Sequence, residues 1–283
     1  MTEDIADPSP PKRKKGRQKT VQTTAPLVEL EGNTKEEKLL ALYNQWFGCT
    51  KCPLGKFREE EGRGKDIVFG VGNPNADIVI VGEAPGGDEE AQGSPFVGPA
   101  GQLLNKLLAY VTNNVAVRTR IEEHAKLSTP KQNADSKALQ EELFDWRIKE
   151  FFFTNAVACR PPENRQPTPA EGKACWERVW NTIYTIDPFL IIAVGGTAYS
   201  VLTRSTKKIT QEHGRVYDAV YDGKFGKVIW PVMPILHPSH LLRVADWKLK
   251  DGTHARTVND LRQAMRLVDY LRLWHYGTPI PPR

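Results

Sequence analysis

The chain has 283 residues, 40% of them apolar and 26% charged, with a formal net charge of +5. That is enough apolar content for the core of one large domain or two small ones, and no apolar run reaches the eighteen residues of a membrane span. The polar and then basic opening has no apolar segment of the kind that directs secretion. A reducing compartment is therefore expected: the cytoplasm, close to the nucleoid, in a prokaryote or virus, with the nucleus as the eukaryotic counterpart.

In chain order, residues 1–31 are basic and Pro-rich, with Lys12, Arg13, Lys14, Lys15, Arg17 and Lys19 together and no apolar period. This reads as a disordered tail, either a sequence-blind tether to DNA, a nuclear address or simply a solvated end. Residues 32–283 form the expected folded domain. Thr34–Phe47 has helical spacing of Leu39, Leu40, Leu42, Tyr43 and Trp46 and leads directly to Cys49. Asp77–Val81 is a short apolar run ending in Gly82, as a buried parallel strand should be. Two Gly- and Pro-rich loops follow, 82–86 and 93–101, and then a helix over Gln102–Val111. Residues 112–143 are long, polar and charged. They read as an insertion, either a solvated helical excursion or a lid touching substrate.

Glu150–Val157, Phe189–Val194 and Val228–Leu236 are three more strands, and Asn259–Trp274 is a closing amphipathic helix. Strands alternating with helices predict an α/β fold: a three-layer α/β/α sandwich around a mainly parallel sheet of about four strands, with its site at their carboxyl ends. The informative loops each follow a strand. There is neither a phosphate-cradling G-x-x-x-x-G-K-[ST] nor a dinucleotide fingerprint, which removes the common nucleotide-binding classes. What the loops do offer is a carboxylate, Glu83, and an aromatic ring, Phe96. Asn155 closes the second strand with a paired donor and acceptor. His237 stands before Pro238, where it can donate to an anion, and Ser239 and Arg243 suit phosphates.

The four cysteines fall into two pairs. Cys49 and Cys52 form a C-x-x-C turn, while Cys159 and Cys175 lie more than a hundred residues on, with fifteen residues between them. Structural disulfides have little use in a reducing compartment, so a four-thiolate metal site is the better reading. A zinc ribbon would repeat its knuckle in the second pair, whereas a [4Fe–4S] cluster needs only four thiolates brought together by the fold. Zinc stays as the alternative, and cysteines that are merely buried as the plain one.

Together G-E-A-P-G (82–86), G-S-P-F-V-G-P-A-G (93–101), T-N-A-V-A-C-R-P-P-E-N-R-Q-P-T-P-A-E (154–171) and H-P-S-H-L-L-R (237–243) resemble the uracil-DNA glycosylase superfamily, most closely its iron–sulfur family 4. The resemblance runs from about Glu36 to Tyr270, less the insertion. It implies a glycosylase that flips a pyrimidine, uracil by default, out of DNA and hydrolyses its N-glycosidic bond. Glu83 would activate water and His237 would donate to the departing base. Phe96 would stack on the base and Asn155 would bond its edge, with Gly82 and Ala84 lining the same pocket. Ser239 and Arg243 would grip phosphates, and Leu241 or Leu242 would fill the space the base leaves. Cys49, Cys52, Cys159 and Cys175 would hold a [4Fe–4S] cluster that ties the N-terminal helix to the 159–175 loop and shapes a DNA-facing surface with Arg160 and Arg165. DNA is the expected partner of a monomer. The insertion and tail depart from the family pattern, so release of a larger modified pyrimidine, for instance in defence against phage with hypermodified DNA, is the alternative. A non-catalytic DNA-binding protein on this fold is the second.

Overall fold

The computed structural model describes residues 21–23, 28–63, 66–112, 114–125, 129–223, 226–243 and 252–277. Its strands in chain order are β1 (Val21–Thr23), β2 (Val71–Gly72), β3 (Ile78–Gly82), β4 (Phe152–Asn155), β5 (Leu190–Val194), β6 (Tyr217–Gly223) and β7 (Gly226–Ile235). They form one sheet in the order β1-β6-β7-β5-β3-β4-β2. The four strands expected from the sequence are its parallel centre, β7-β5-β3-β4. The sheet as a whole is mixed, because β6 pairs antiparallel with β7 and β2 antiparallel with β4.

The two faces of the sheet are legible in the alternation along each central strand. Val79, Val81, Ile191, Ala193 and Val232 point into one apolar cluster, while Ile80, Phe153, Ile192 and Ile235 point into another. Each side chain of this class adds about 1.5–3 kcal/mol when fully buried, which is why neither face of β3 or β5 carries a polar residue. The first face is covered by α1 (Lys35–Trp46), α2 (Pro53–Glu60), α7 (Pro169–Ile186) and α8 (Gly196–Thr203). A short helix, α3 (Gly87–Gln92), follows β3. Opposite lie α4 (Pro99–Val111), α5 (Val115–Ala125), α6 (Thr129–Glu150), α10 (Pro238–Arg243) and α11 (Thr253–Tyr276); α9 (Ile209–Glu212), before β6, packs Ile209 on the first cluster. The three-layer α/β/α arrangement is thus realised. Among the described residues no helix is long and apolar enough to cross a membrane.

Helix ends follow local chemistry. Thr34 accepts the Glu37 N–H at 3.2 Å while the Glu37 carboxylate accepts the Thr34 N–H at 3.1 Å, and Thr168 and Glu171 repeat this exchange at the start of α7. Pro99 sits at the first position of α4, where its missing N–H leaves nothing unpaired.

Two expectations need correction. The described residues of 112–143 are more closely packed than a solvated excursion would be. They form α5 and most of α6, with Val117, Leu139 and Leu143 buried in the second core beside α4 and an Arg120–Glu142 ion pair between the helices. The apolar residues are spaced for one helix face and are too few to register against the surrounding charge. α6 also runs on to Glu150, so the strand expected from Glu150 begins only at Phe152. The second correction concerns the tail. Within 1–31, Val21–Thr23 pairs in parallel with Ala219–Tyr221 and the Val28 N–H bonds the Asn181 side chain at 3.0 Å. The chain therefore joins the fold ahead of residue 32, while residues 1–20, with their basic run, lie outside the described residues.

Candidate active site

The turns leaving β3, β4, β5 and β7 open on the same edge of the sheet, as the parallel pairing requires. Gly82 and Asn155 are directly paired at the ends of β3 and β4. A Cβ on Gly82 would stand 2.2 Å from the Asn155 Oδ1 and 2.6 Å from the Phe96 ring, so its bare Cα is what lets both side chains come in against the end of β3. Asn155 and Phe96 are only 3% and 7% exposed. Ala84 is half-buried against the first core.

Phe96 has φ +59°, a left-handed backbone that costs a side-chain-bearing residue about 1–2 kcal/mol. The loop around it is tied at several points. Glu89 accepts the Gly86 N–H at 3.1 Å and the Gly98 N–H at 2.9 Å, joining the two Gly-rich loops through one carboxylate. Arg147, fully buried at the end of α6, reaches the Pro95 and Phe96 carbonyls. Burial lowers the Arg147 pKa to about 10, so the guanidinium stays charged at neutral pH.

Glu83 is half-buried just past β3. Burial pushes its pKa above the ordinary carboxylate value, and the hydroxyl of Thr197, donating to Oε2 at 2.6 Å, works in the opposite direction. Thr197 comes from the turn after β5, where Gly195 opens the first turn of α8. The same turn meets the other candidate: Gly195, at φ +89°, lies where an added Cβ would come within 3.0 Å of the His237 ring. One turn thus sits against both Glu83 and His237.

His237 follows β7. Its Nδ1 accepts the Ser239 backbone N–H at 3.2 Å and lies 2.8 Å from the Ser239 Oγ. A nitrogen that accepts a backbone N–H has no proton of its own in the neutral ring, which puts the proton on Nε2. Ser239, expected to grip a phosphate, is here the partner that orients His237.

The two leucines of α10 separate. Leu241 is 1% exposed and packs in the second core, whereas Leu242 is 47% exposed. Of the two leucines expected as alternatives for the wedge, only Leu242 faces out, because adjacent positions on a helix face different ways. The Arg243 side chain lies outside the described residues. Arg160 and Arg165, expected to face DNA, are both engaged within the protein. Arg160 pairs with Glu90 at 3.4 Å and bonds Asn164, and Arg165 forms a two-pronged pair with Glu171 at 2.7 and 2.9 Å.

All four cysteines are reduced. Cys49 and Cys52 are half-buried in the turn from α1 to α2, and Cys159 and Cys175 are buried beyond β4 and in α7. Among the described residues no three His, Cys, Asp or Glu side chains stand as a ready metal-ion group. The surroundings nevertheless suit thiolates. Burial pushes the Cys159 thiol up to about 12, with Cys175, Cys52 and Cys49 close enough to add to the shift. Two buried cations face this group. Arg58, 2% exposed, donates to the Cys159 Sγ at 3.5 Å, and Arg178, fully buried, interacts with Cys175. Among the described residues neither arginine has a carboxylate partner in an ion pair. Buried guanidinium groups beside neutral thiols lack a counter-charge, and metal-bound thiolates would supply one. Arg178 also donates to the Asn155 carbonyl and, at 3.0 Å, to the Thr154 hydroxyl.

Comparison with known proteins agrees with this geometry. Residues 69–262 match the model of the uracil DNA glycosylase superfamily. The chain is 30% identical over 241 residues to a type-4 uracil-DNA glycosylase of Archaeoglobus fulgidus, covering 83% of this chain and all of that one. It is 34% identical over 211 residues to the type-4 uracil-DNA glycosylase of Thermotoga maritima, covering 74% and 86%, and 31% identical over 194 residues to that of Saccharolobus solfataricus, covering 69% and 72%. Strand-end residues, fold and relatives coincide, and the chain belongs to the uracil DNA glycosylase superfamily, in its type-4 branch.

Proposed function

We propose that the protein excises uracil from DNA by hydrolysing the N-glycosidic bond, leaving an abasic site. The observation that carries this reading is the meeting of Glu83, Phe96, Asn155 and His237 at the ends of neighbouring strands, around the two glycines Gly82 and Gly195.

The chemistry follows from what each group can do. A base inside a duplex cannot be reached, so the nucleotide must leave the stack at a cost of a few kcal/mol. Stacking on Phe96 returns roughly 1–3 kcal/mol, and Asn155 offers a donor and an acceptor to a pyrimidine edge. Leu242, exposed on α10, takes the wedge role in the vacated stack. As the bond breaks, the base becomes anionic and the sugar cationic. The Nε2 proton of His237 faces the first charge, and ionised Glu83 faces the second and accepts a proton from the attacking water. Glu83 needs to be ionised for this, and Thr197 favours that form.

Cys49, Cys52, Cys159 and Cys175 would hold a [4Fe–4S] cluster, which supplies a charged cross-link between the α1–α2 turn and the segment joining β4 to α7. The fifteen residues between Cys159 and Cys175 favour this reading over a zinc knuckle, and the two buried arginines suit a thiolate-bound group of either kind. The larger-base alternative rested on residues 112–143 being free to line the pocket, and Val117, Leu139 and Leu143 of that segment go to the core instead.

The test is release of base from oligonucleotides carrying uracil, thymine or a bulky 5-substituted pyrimidine, read as alkali-labile abasic sites, with iron measured on the same preparation. Uracil-selective cleavage and about four irons per chain are expected. Cleavage confined to the bulky base would overturn the substrate, and stoichiometric zinc without iron would overturn the cluster.

A further inference from the structure

Arg147 lies outside every motif that marks the site, yet it is among the largest fully buried side chains of the protein. Its guanidinium Nη2 donates to the Pro95 carbonyl at 2.8 Å, and Nη1 donates to the Phe96 carbonyl at 3.1 Å and to Asn105 Oδ1 at 3.3 Å. It also lies over the Phe153 ring, 4.5 Å from the centroid, and Phe153 meets the Phe96 ring edge-on at 5.6 Å. Arg147 therefore holds Phe96 from two directions, by its carbonyl and through the ring behind it. Among the described residues it has no carboxylate in an ion pair. A charge buried on those terms is costly unless its donors are well used. Two of its contacts go to consecutive carbonyls at Pro95 and Phe96, and among the described residues Phe96 is the one aromatic residue held in a left-handed backbone.

We propose that Arg147 is a positioning residue for base recognition: it fixes the Phe96 loop so that the ring is set to stack on the flipped base, without touching the base itself. The inference rests on Phe96 being the stacking surface. It also gives the end of α6 a part in the site that a solvated excursion would not have.

The experiment separates base contacts from DNA contacts. Affinity is measured for DNA carrying 2′-fluoro-arabino-uridine, whose glycosidic bond resists cleavage, and for the same DNA carrying a tetrahydrofuran abasic analogue. Arg147→Met keeps much of the volume and removes the donors. It is expected to lower the ratio of the two affinities roughly tenfold, about the worth of one stacked base, with tetrahydrofuran binding little changed. Phe96→Ala should lower the same ratio, and in that background Arg147→Met should add almost nothing, because the two act as a unit. If Phe96→Ala leaves the ratio unchanged, the stacking assignment fails. If Phe96→Ala lowers it but a folded Arg147→Met does not, or if Arg147→Met has its full effect without Phe96, the positioning role is overturned. Should Arg147→Met not fold, Arg147→Lys retains the charge and loses the two-carbonyl fork. It is expected to shift the ratio in the same direction by a smaller factor, and an unchanged ratio in that variant would equally overturn the proposal.

Discussion

The two halves of the site are held in different ways. On the β3–β4 side, Phe96 and Asn155 are almost completely buried, and a fully buried arginine donates to the carbonyl of each, Arg147 to Phe96 and Arg178 to Asn155. Glu89 adds a further tie between the two loops. On the β7–α10 side, His237 is half-buried and oriented by Ser239, two residues away. Leu241 is the anchor of α10 in the core. On the proposed roles, the half that would choose a base is fixed by long-range buried charge, and the half that would meet DNA is fixed by a local turn. Selection between similar bases needs a preorganised surface, whereas docking onto a distorted duplex tolerates a more adaptable one.

The largest expected effect tests whether both halves are needed for chemistry despite this difference. Glu83→Gln and His237→Ala should each lower single-turnover release of uracil by roughly two to three orders of magnitude, the usual loss when a preorganised electrostatic contact is removed. Binding to abasic DNA should change little in either. A variant that keeps near-normal release would remove its residue from the catalytic assignment and leave the chemistry in the other half alone.

The neighbouring leucines of α10 sharpen the comparison within one helix. Leu241→Ala should cost about 2–5 kcal/mol of stability, as for other buried leucines, and be visible as a lowered denaturation midpoint. Leu242→Ala should leave stability within about 0.5 kcal/mol but slow release from double-stranded DNA more than from single-stranded DNA, because only the duplex has a stack to hold open. Equal slowing on both substrates would take the wedge role from Leu242.

Much of this was legible in the sequence, and the parts that were not have physical reasons. The central strands are uninterrupted apolar runs because both faces of the sheet are covered, and α1, α4 and α11 carry a clear helical period. β6 was missed because Tyr217-Asp218-Ala219 shows no apolar run; its place comes from antiparallel pairing with β7 and from Trp180, distant in sequence, packing on Tyr221. The strand-end glycines and the four site residues announced themselves by their loops. Thr197 did not, since its partner Glu83 is 114 residues earlier. Arg147 and Arg178 look like ordinary surface charges of amphipathic helices, and only the packed fold shows that carbonyls and, for Arg178, cysteines surround them. The reverse holds for Arg160 and Arg165: two exposed-looking cations beside a DNA site turn out to be matched by Glu90 and Glu171.

The smallest effect concerns Thr197, the link from the β5 turn to the carboxylate of the braced half. Burial raises the Glu83 pKa and the Thr197 hydroxyl opposes that rise by donating to the ionised form. Glu83 acts as a carboxylate, so activity falls as the pH drops through its pKa. Thr197→Val removes the donor and keeps the shape, leaving burial unopposed. The pKa then moves further up, and the acid limb of the kcat/KM profile moves to higher pH. On that limb the rate should fall by roughly tenfold, the order expected for losing one hydrogen bond to a charged group, while the plateau at higher pH is nearly retained. Thr197→Ser keeps the hydroxyl and should restore the original profile, which separates the hydrogen bond from any effect of the methyl group. An acid limb that stays in place in Thr197→Val, or moves to lower pH, would mean that this contact does not govern the ionisation of Glu83. The β5 turn would then serve only to seat His237.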